Sequence, residues 1–269
     1  MIRQPIVAGK FYPENKVALT KQINSFYKPQ NKRTVTSCIL PHAGYIYSGR
    51  VATLTVASIE IKKNLILIGP NHTGMGSQFS IVSLGIWKTP LGEVKINSEI
   101  ARRIKDKSTK IKEDTRAHIY EHSLEVELPI LQFFSQEEFS FVPLTVMEGT
   151  KSEYNEIASA IADTISELKI SKDTLIVASS DMTHYEPHKN AEEKDRMAID
   201  AIKNLDEDLL LERIKKFDIS MCGYVAVVIT IIASKKLGAK NAELILYQTS
   251  AETSGDFDSV VGYAGMIIY

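Results

Sequence analysis

Three short apolar runs along the chain stop abruptly, and polar residues follow at once. The runs cover 35–40, 64–68 and 174–178, and a histidine or an aspartate comes within a few residues of each. Continuous apolar runs of about four to eight residues are typical of strands buried in a parallel sheet. The pattern therefore predicts three central strands whose carboxyl ends carry polar side chains.

Helical periodicity lies between these strands and predicts a layered α/β fold. Strands that alternate with helices are typical of βαβ units, which build a mostly parallel central sheet. Predicted helices cover 14–27, 49–59, 97–105, 123–134, 152–168, 191–204, 207–215 and 222–236. Further strands are predicted over 79–84, 92–96, 139–146, 243–247 and 260–268. The first two of these are expected to form an antiparallel extension, and Pro129 is expected to kink or shorten its helix.

Nothing along the chain marks a boundary between domains. Its 269 residues contain no linker rich in Ser, Pro or Gly, no internal repeat and no low-complexity tract. Hydrophobic residues make up 44% of the chain, which is enough for a sizeable core. We expect a single α/β domain over 1–269, an α/β/α sandwich with a mostly parallel central sheet.

Charge and cysteine content argue against several classes of function. The formal net charge is −1, so no basic surface for nucleic acid or a membrane is expected. No apolar run approaches the ~20 residues of a membrane span, and the N-terminal residues lack the pattern of a signal peptide. Two cysteines do not make a disulfide framework, so a reducing, cytoplasmic location is expected.

Histidines follow two of the central strands directly. His42 lies in Pro-His-Ala-Gly-Tyr at 41–45, and His72 lies in Gly-Pro-Asn-His at 69–72. In open α/β sheets ligands bind beyond the carboxyl ends of the strands, and imidazole is a favoured ligand of iron, zinc and copper. The two loops together favour a metal pair, although each histidine alone also fits a turn bonded to backbone.

The third strand ends in Ser-Ser-Asp-Met-Thr-His-Tyr at 179–185. Asp181 and His184 are three residues apart, so the carboxylate can orient an imidazole that exchanges protons near neutral pH. The alternative is that Asp181 caps the turn and His184 is structural. Ser179 and Ser180 lack the flanking glycines of a nucleophile elbow, which argues against a serine hydrolase.

Cys222 lies at the predicted start of an apolar helix, after the candidate cap Ser220. A helix N-terminus favours the thiolate, which is the form of cysteine that binds metal. Gly223 beside it indicates a close approach of the backbone, which favours a site over the alternative of a small buried hydrophobe. Cys38 lies within the first strand and is predicted to belong to the core.

Acidic and imidazole groups also crowd the start of another predicted helix. The segment Glu-His-Ser-Leu-Glu-Val-Glu-Leu-Pro covers 121–129, and His122 and Glu125 are spaced to share a helical face. A solvated helix start with capping acids explains the same pattern. His118 and His188 are predicted to lie at the surface, and no phosphate loop or dinucleotide motif supports nucleotide binding.

Taken together, these motifs resemble the Memo family, and within it the proteins named AmmeMemoRadiSam system protein B. That family is similar in fold to the class III, LigB-type, non-haem iron extradiol dioxygenases. The matching stretches are Ala-Gly-Lys-Phe-Tyr-Pro at 8–13, Pro-His-Ala-Gly-Tyr at 41–45, Gly-Pro-Asn-His at 69–72, Glu-His-Ser-Leu-Glu-Val-Glu-Leu-Pro at 121–129, Ser-Ser-Asp-Met-Thr-His-Tyr at 179–185 and Cys-Gly at 222–223. The resemblance spans nearly the whole chain, and the motifs are specific as a set.

The resemblance implies a metal site formed by His42, His72 and Cys222, with Fe(II) as the first choice of metal. The dioxygenases complete their metal triad with a glutamate, so Cys222 is a departure. A thiolate is softer than a carboxylate and is itself oxidisable, which shifts preference toward copper or zinc. The resemblance therefore implies the dioxygenase fold without implying dioxygenase activity.

The resemblance also implies acid–base groups in the same pocket. His184, steered by Asp181, is expected to act as general base on a substrate hydroxyl. His122 is expected to hydrogen-bond bound oxygen or to serve as the acid. The leading hypothesis is a non-haem iron or copper redox protein with a small-molecule ligand.

Two other functions fit the same sequence. One is an interaction protein that keeps the enzyme fold and binds a metal or a peptide without turnover. The other is a zinc-dependent hydrolase, in which the metal activates water. Archaeal and bacterial relatives of this family are often linked to radical-SAM and AMMECR-type proteins, which makes those the partners that the resemblance implies.

Overall fold

A computed structural model describes residues 2–269 of the chain. Within those residues the strands join in one sheet. The strands are β1 Ile2–Arg3, β2 Ser37–Leu40, β3 Asn64–Pro70, β4 Phe79–Ile81, β5 Ile86–Thr89, β6 Gly92–Ile96, β7 Lys112–Glu113, β8 Ser140–Val146, β9 Thr174–Ser179, β10 His184–Glu186, β11 Ala242–Thr249 and β12 Val260–Ile268. The helices are α1 Lys16–Phe26, α2 Tyr45–Ala57, α3 Ser98–Asp106, α4 Arg116–Ile119, α5 Glu127–Phe134, α6 Lys151–Glu167, α7 His188–Lys203, α8 Glu207–Phe217, α9 Tyr224–Lys236 and α10 Ala251–Ser254.

The three predicted central strands are neighbours in the sheet. The strands β8, β3, β9 and β2 lie side by side and run parallel, with β9 between β3 and β2. The long strand β12 pairs antiparallel with β2, and β11 pairs antiparallel with β12. The prediction of a mostly parallel centre is confirmed.

Alternate side chains of the central strands pack into two separate hydrophobic cores, one on each face of the sheet. On β3, Leu65 and Leu67 join the core under α1, α2 and α5, whereas Ile66 and Ile68 join the core under α3, α6, α7 and α9. Each such side chain contributes roughly 1.5–3 kcal/mol when fully buried. Helices therefore cover both faces, and the predicted α/β/α sandwich is confirmed. None of the helices in residues 2–269 has both the length and the apolar character needed to cross a bilayer.

Several predicted helix starts are displaced along the chain. The helices predicted from 49 and from 191 begin earlier, at Tyr45 and His188. The helix predicted over 123–134 begins at Glu127 and is therefore shorter than predicted. Pro129 lies in its first turn, where a missing N–H is tolerated. The helix predicted from 222 begins at Tyr224, with Gly223 at its cap position. The helix predicted over 97–105 begins at Ser98, and Asn97 caps it, because its side chain accepts the backbone N–H of Ile100.

Two further expectations need correction. The segment predicted at 79–84 is the short strand β4, which pairs antiparallel with β8, whereas β6 forms its hairpin with β5. His118 was predicted to lie at the surface, but it is fully buried, and burial lowers its pKa to about 4. Its Nε2 lies 3.2 Å from the carbonyl oxygen of Ser80, so it is a structural histidine of the core.

The contact between α2 and β12 yields a test of the packing. A Cβ added at Gly265 would meet Oγ1 of Thr55 at 1.9 Å, inside a fully buried interface. We expect Gly265→Ala to lower the free energy of unfolding by about 1–3 kcal/mol, as overpacked cores do. Urea denaturation measures this loss. The double variant with Thr55→Ala should recover part of it, and a double variant no better than the single one would contradict the proposed clash.

Candidate metal centre

Three neighbouring strands deliver the side chains at the centre of the site. Because β9 lies between β2 and β3, the loops that follow these strands meet at one edge of the sheet. His42 follows β2, His72 follows β3 and Asp181 follows β9. The rings of His42 and His72 lie edge to face, with 5.2 Å between their centroids. The histidine pair inferred from the two loops is therefore a pair in space.

A third imidazole, His122, completes a cluster from the segment between α4 and α5. Its ring stacks on His72 with 4.8 Å between centroids and lies 5.6 Å from the ring of His42. One ring nitrogen from each of the three histidines lies within 4.8 Å of the other two, which allows a single metal ion to contact all three. His122 was expected to hydrogen-bond bound oxygen or to serve as the acid, and its position adds it to the candidate ligands.

Cys222 reaches the same centre from the loop before α9. Its Sγ lies 3.3 Å from Nε2 of His42 and accepts a hydrogen bond from the backbone N–H of Asp181. Gly223 allows this approach, since a Cβ there would meet the carbonyl oxygen of Ser179 at 2.3 Å. The close backbone approach predicted at Gly223 is confirmed. The structure thus brings the predicted ligands close to one another, whereas metal binding by them stays a prediction.

A buried carboxylate holds the ring of His72. Glu121 is 1% exposed, its Oε1 lies 2.9 Å from Nδ1 of His72, and its Oε2 accepts the backbone N–H of the same residue. Burial alone would lower the pKa of His72, but the hydrogen bond and charge of Glu121 raise it. Burial would raise the pKa of Glu121, yet the hydrogen bond and charge of His72 lower it to about 2. With Nδ1 engaged, Nε2 of His72 is the nitrogen available to a metal.

A hydroxyl, rather than a carboxylate, holds the ring of His42. Its Nδ1 lies 2.8 Å from Oγ of Ser179. The ring is 2% exposed, and this burial, together with the neighbouring imidazoles, lowers its pKa well below the ordinary value. His42 is therefore neutral at physiological pH, which is the form that binds metal. Its Nε2 faces the cluster and the thiol of Cys222.

Asp181 and His184 both lie at the site, but each has its own hydrogen-bond partner. Oδ1 of Asp181 accepts the backbone N–H of His42 at 2.8 Å, and burial raises the pKa of this carboxyl to about 6. Nδ1 of His184 lies 2.9 Å from the carbonyl oxygen of Ser220, which orients the ring. The structure thus gives His184 a different orienting partner from the predicted Asp181. The hydroxyl of Ser220, predicted to cap a helix, instead accepts the backbone N–H of His184.

The histidines line an open cleft of about 600 Å³. Its aromatic lining residues are Phe11, Tyr47, Tyr185 and Tyr263. The ring of Phe11 packs against His122 with 4.9 Å between centroids. A smaller hollow of about 330 Å³ borders both His72 and Cys222. The site is therefore accessible to a ligand of small-molecule size, and aromatic surface surrounds its polar centre.

A buried ion pair anchors the N-terminal segment beneath the site. Nη1 of Arg3 lies 2.6 Å from Oε2 of Glu125, and each side chain is at most 3% exposed. Arg3 also donates to the carbonyl oxygens of His118 and Glu121, and Glu125 accepts the hydroxyl of Tyr12. Arg3 was not among the predicted site residues, because its local sequence carries no signal of a partner 122 positions away.

Comparison with known proteins identifies the family. A family model described as Memo-like protein matches residues 3–267. The chain belongs to the Memo family. This Memo-family chain is 40% identical to a MEMO1 family protein of Methanopyrus kandleri, over 99% of both chains. It is 42% identical to one of Sulfolobus acidocaldarius over 98% of both chains, and 41% identical to one of Aquifex aeolicus over 99% and 98%.

A solved structure shares the fold. The crystal structure of the uncharacterized protein JW3007 from Escherichia coli K12 superposes on this Memo-family chain with a TM-score of 0.59. The match covers 87% of this chain and 99% of the other, at 12% sequence identity. Identity this low shows the fold alone and transfers no function.

The pairing of His72 with Glu121 makes a prediction for the metal-free protein. The pKa of His72 lies above its ordinary value of about 6.5. The pair therefore contributes its full stability below the unfolded-state pKa and loses it as the pH rises through the folded-state pKa. We expect Glu121→Gln to lower the pKa of His72, measured by NMR titration of the imidazole nitrogens.

A surface carboxylate is the matched control for this titration. Glu93 pairs with Lys88 at 3.4 Å on an exposed hairpin, and Glu93→Gln should leave the His72 titration unchanged. An unshifted His72 in Glu121→Gln would show that the carboxylate does not set its charge.

Proposed function

We propose that this Memo-family chain binds a transition-metal ion, with Fe(II) first, through His42, His72 and Cys222, and uses it in a redox reaction on a small molecule. The observation that carries the proposal is the convergence of these donors beside the cleft. Nε2 of His42 lies 3.3 Å from Sγ of Cys222, and its ring is 5.2 Å from that of His72. Copper is the second choice of metal.

The chemistry of the donors fits a metal. Burial lowers the pKa of His42, so its imidazole is neutral and has a lone pair to donate. Burial and the nearby Asp181 raise the pKa of the Cys222 thiol, so that in metal-free protein the sulfur is protonated. A metal ion displaces that proton, since thiolate is the ligand form, and metal binding is therefore expected to release protons.

A bound Fe(II) or copper ion would supply a redox centre next to the aromatic cleft. The chain's own residues supply the proton chemistry. Because Nδ1 of His184 is engaged by the carbonyl oxygen of Ser220, its Nε2 is the nitrogen that can accept a proton from a substrate hydroxyl. His122 lies in the same cleft, and burial lowers its pKa, which favours the neutral form.

The cluster of three histidines supports a second candidate function. Three imidazoles around one ion are a donor set that catalytic zinc uses, with water as the fourth ligand. If His122 replaces Cys222 as the third ligand, a zinc-dependent hydrolase is the favoured alternative. Burial raises the pKa of Asp181 to about 6, and in this hydrolase Asp181 would be the best candidate for the general base.

Single substitutions distinguish the two ligand sets. We expect His42→Ala, His72→Ala and Cys222→Ala each to weaken binding of Fe(II) by about 100-fold or more, measured anaerobically by competition with a chelator. A Co(II) derivative of the wild type should show a thiolate charge-transfer band that Cys222→Ser removes. Weak binding in His122→Ala with full binding in Cys222→Ala would contradict the thiolate site and favour the three-imidazole one.

Two residues that are not members of the cluster serve as controls for these substitutions. Cys38 is a fully buried cysteine of the core, and His188 hydrogen-bonds Thr249 away from the cluster. Cys38→Ala and His188→Ala should both keep metal affinity. A loss in either variant would mean that the loss in the site variants reflects misfolding.

Oxygen uptake tests the redox reaction itself. With Fe(II) bound, we expect uptake on a panel of catechol-type substrates, and His184→Ala should slow it by about 100-fold or more without changing metal content. Tight iron binding with no uptake across the panel would contradict the redox reaction and favour an interaction protein. Stoichiometric zinc with ester hydrolysis would favour the hydrolase.

A further inference from the structure

Three carboxylates lie buried along one segment beside the site, and one of them has no cationic partner. Glu121 faces His72, and Glu125 faces Arg3. Glu127 is 0% exposed, and within residues 2–269 it forms no ion pair. Its Oε2 also has no hydrogen-bond partner there. An ionised carboxylate buried in this way would carry a large desolvation cost with nothing to offset it.

The hydrogen bonds around Ser179 show what form Glu127 takes. Oγ of Ser179 lies 2.8 Å from three atoms: Nδ1 of His42, Oε1 of Glu127 and the carbonyl oxygen of Ser123. A hydroxyl donates one hydrogen bond and accepts two. The carbonyl of Ser123 can only accept, so it takes the hydroxyl proton. The other two contacts are hydrogen bonds only if His42 and Glu127 both donate.

Every other placement of the protons leaves one of these close contacts without a hydrogen bond. If Glu127 is ionised, it competes with the carbonyl of Ser123 for the single proton of Ser179, and one buried oxygen faces another at 2.8 Å without a hydrogen. If His42 accepts that proton at Nδ1, the carbonyl of Ser123 loses it in the same way. Two buried polar groups that face each other without a hydrogen keep their desolvation cost with no hydrogen bond to offset it.

We propose that Glu127 is a neutral glutamic acid and a positioning residue, donating its proton to Ser179 and thereby fixing the tautomer of His42. Nδ1 of His42 then carries the hydrogen, and Nε2 presents its lone pair toward Cys222 and the metal position. The tautomer follows from the geometry alone, and the role in metal binding rests on the function proposed above.

The neutral form also explains why burial of Glu127 is tolerated. Burial raises the pKa of its carboxyl well above the ordinary value, and the charge of nearby Asp181 acts in the same direction. The acid would add no charge beneath a bound metal ion, unlike the carboxylate of Glu121, which lies beside His72. The two metal histidines are thus supported differently, one by a charged group and one by a neutral relay.

Infrared and NMR measurements on metal-free protein test the proton directly. The infrared difference between wild type and Glu127→Gln at neutral pH should show the carbonyl band of a protonated carboxylic acid. NMR of nitrogen-labelled histidine should show His42 with its hydrogen on Nδ1. A carboxylate band in place of the acid band, or the hydrogen on Nε2, would overturn the proposal.

Metal affinity then tests the positioning role with matched variants. Glu127→Met keeps the length of the side chain and removes the donor, and we expect about tenfold weaker Co(II) binding, as for other residues that support a ligand. Glu127→Gln restores a donor without a charge and should recover most of that loss. Ser179→Ala interrupts the relay in a second place and should resemble Glu127→Met.

The two sets of measurements separate the two proposals. An acid band without metal binding by the wild type would refute the proposed function and leave the neutral acid intact. Glu127→Gln as weak as Glu127→Met, with the wild type binding normally, would show that charge is what supports His42 and would overturn the positioning role.

Discussion

The backbone hydrogen bonds that hold β9 between β2 and β3 are the constraint on which the rest of the site depends. Parallel pairing aligns the carboxyl ends of the three strands, and the loops that follow must therefore share one small volume. Polar groups in that volume are largely withdrawn from water and need partners within the protein. The buried acids and hydroxyls around the histidines are the partners that meet this need.

The parts of the fold that are local in sequence were predictable. Wholly apolar runs such as the strand β9 can be recognised without a structure, because central parallel strands are buried on both faces. The helix starts were predicted less accurately. The start of α5 at Glu127, for example, depends on which carboxylates of this segment are buried at the site. A helix-like pattern continues through 123–126, but tertiary contacts decide where the helix begins.

The supporting partners of the site could not be predicted in the same way. The pairing of Glu121 with His72, and that of Arg3 with Glu125, joins residues 49 and 122 positions apart. Hydrophobic periodicity carries no information about contacts between residues so far apart in the sequence. A glutamate near a helix start also has the same local sequence pattern whether its side chain faces solvent or a ligand. His122 was correctly expected in the pocket, but its distance from the other rings required coordinates.

The separation of the site residues along the chain has a consequence for how the protein folds. His42 and Cys222 touch although 180 residues lie between their positions. Contacts between residues so far apart in the sequence form slowly, because the chain must first lose the conformational entropy of closing a long loop before the contact stabilises it. During synthesis, His42 and His72 leave the ribosome long before Cys222 does. The candidate metal site is therefore a late product of folding, assembled only when the last third of the chain has joined the sheet.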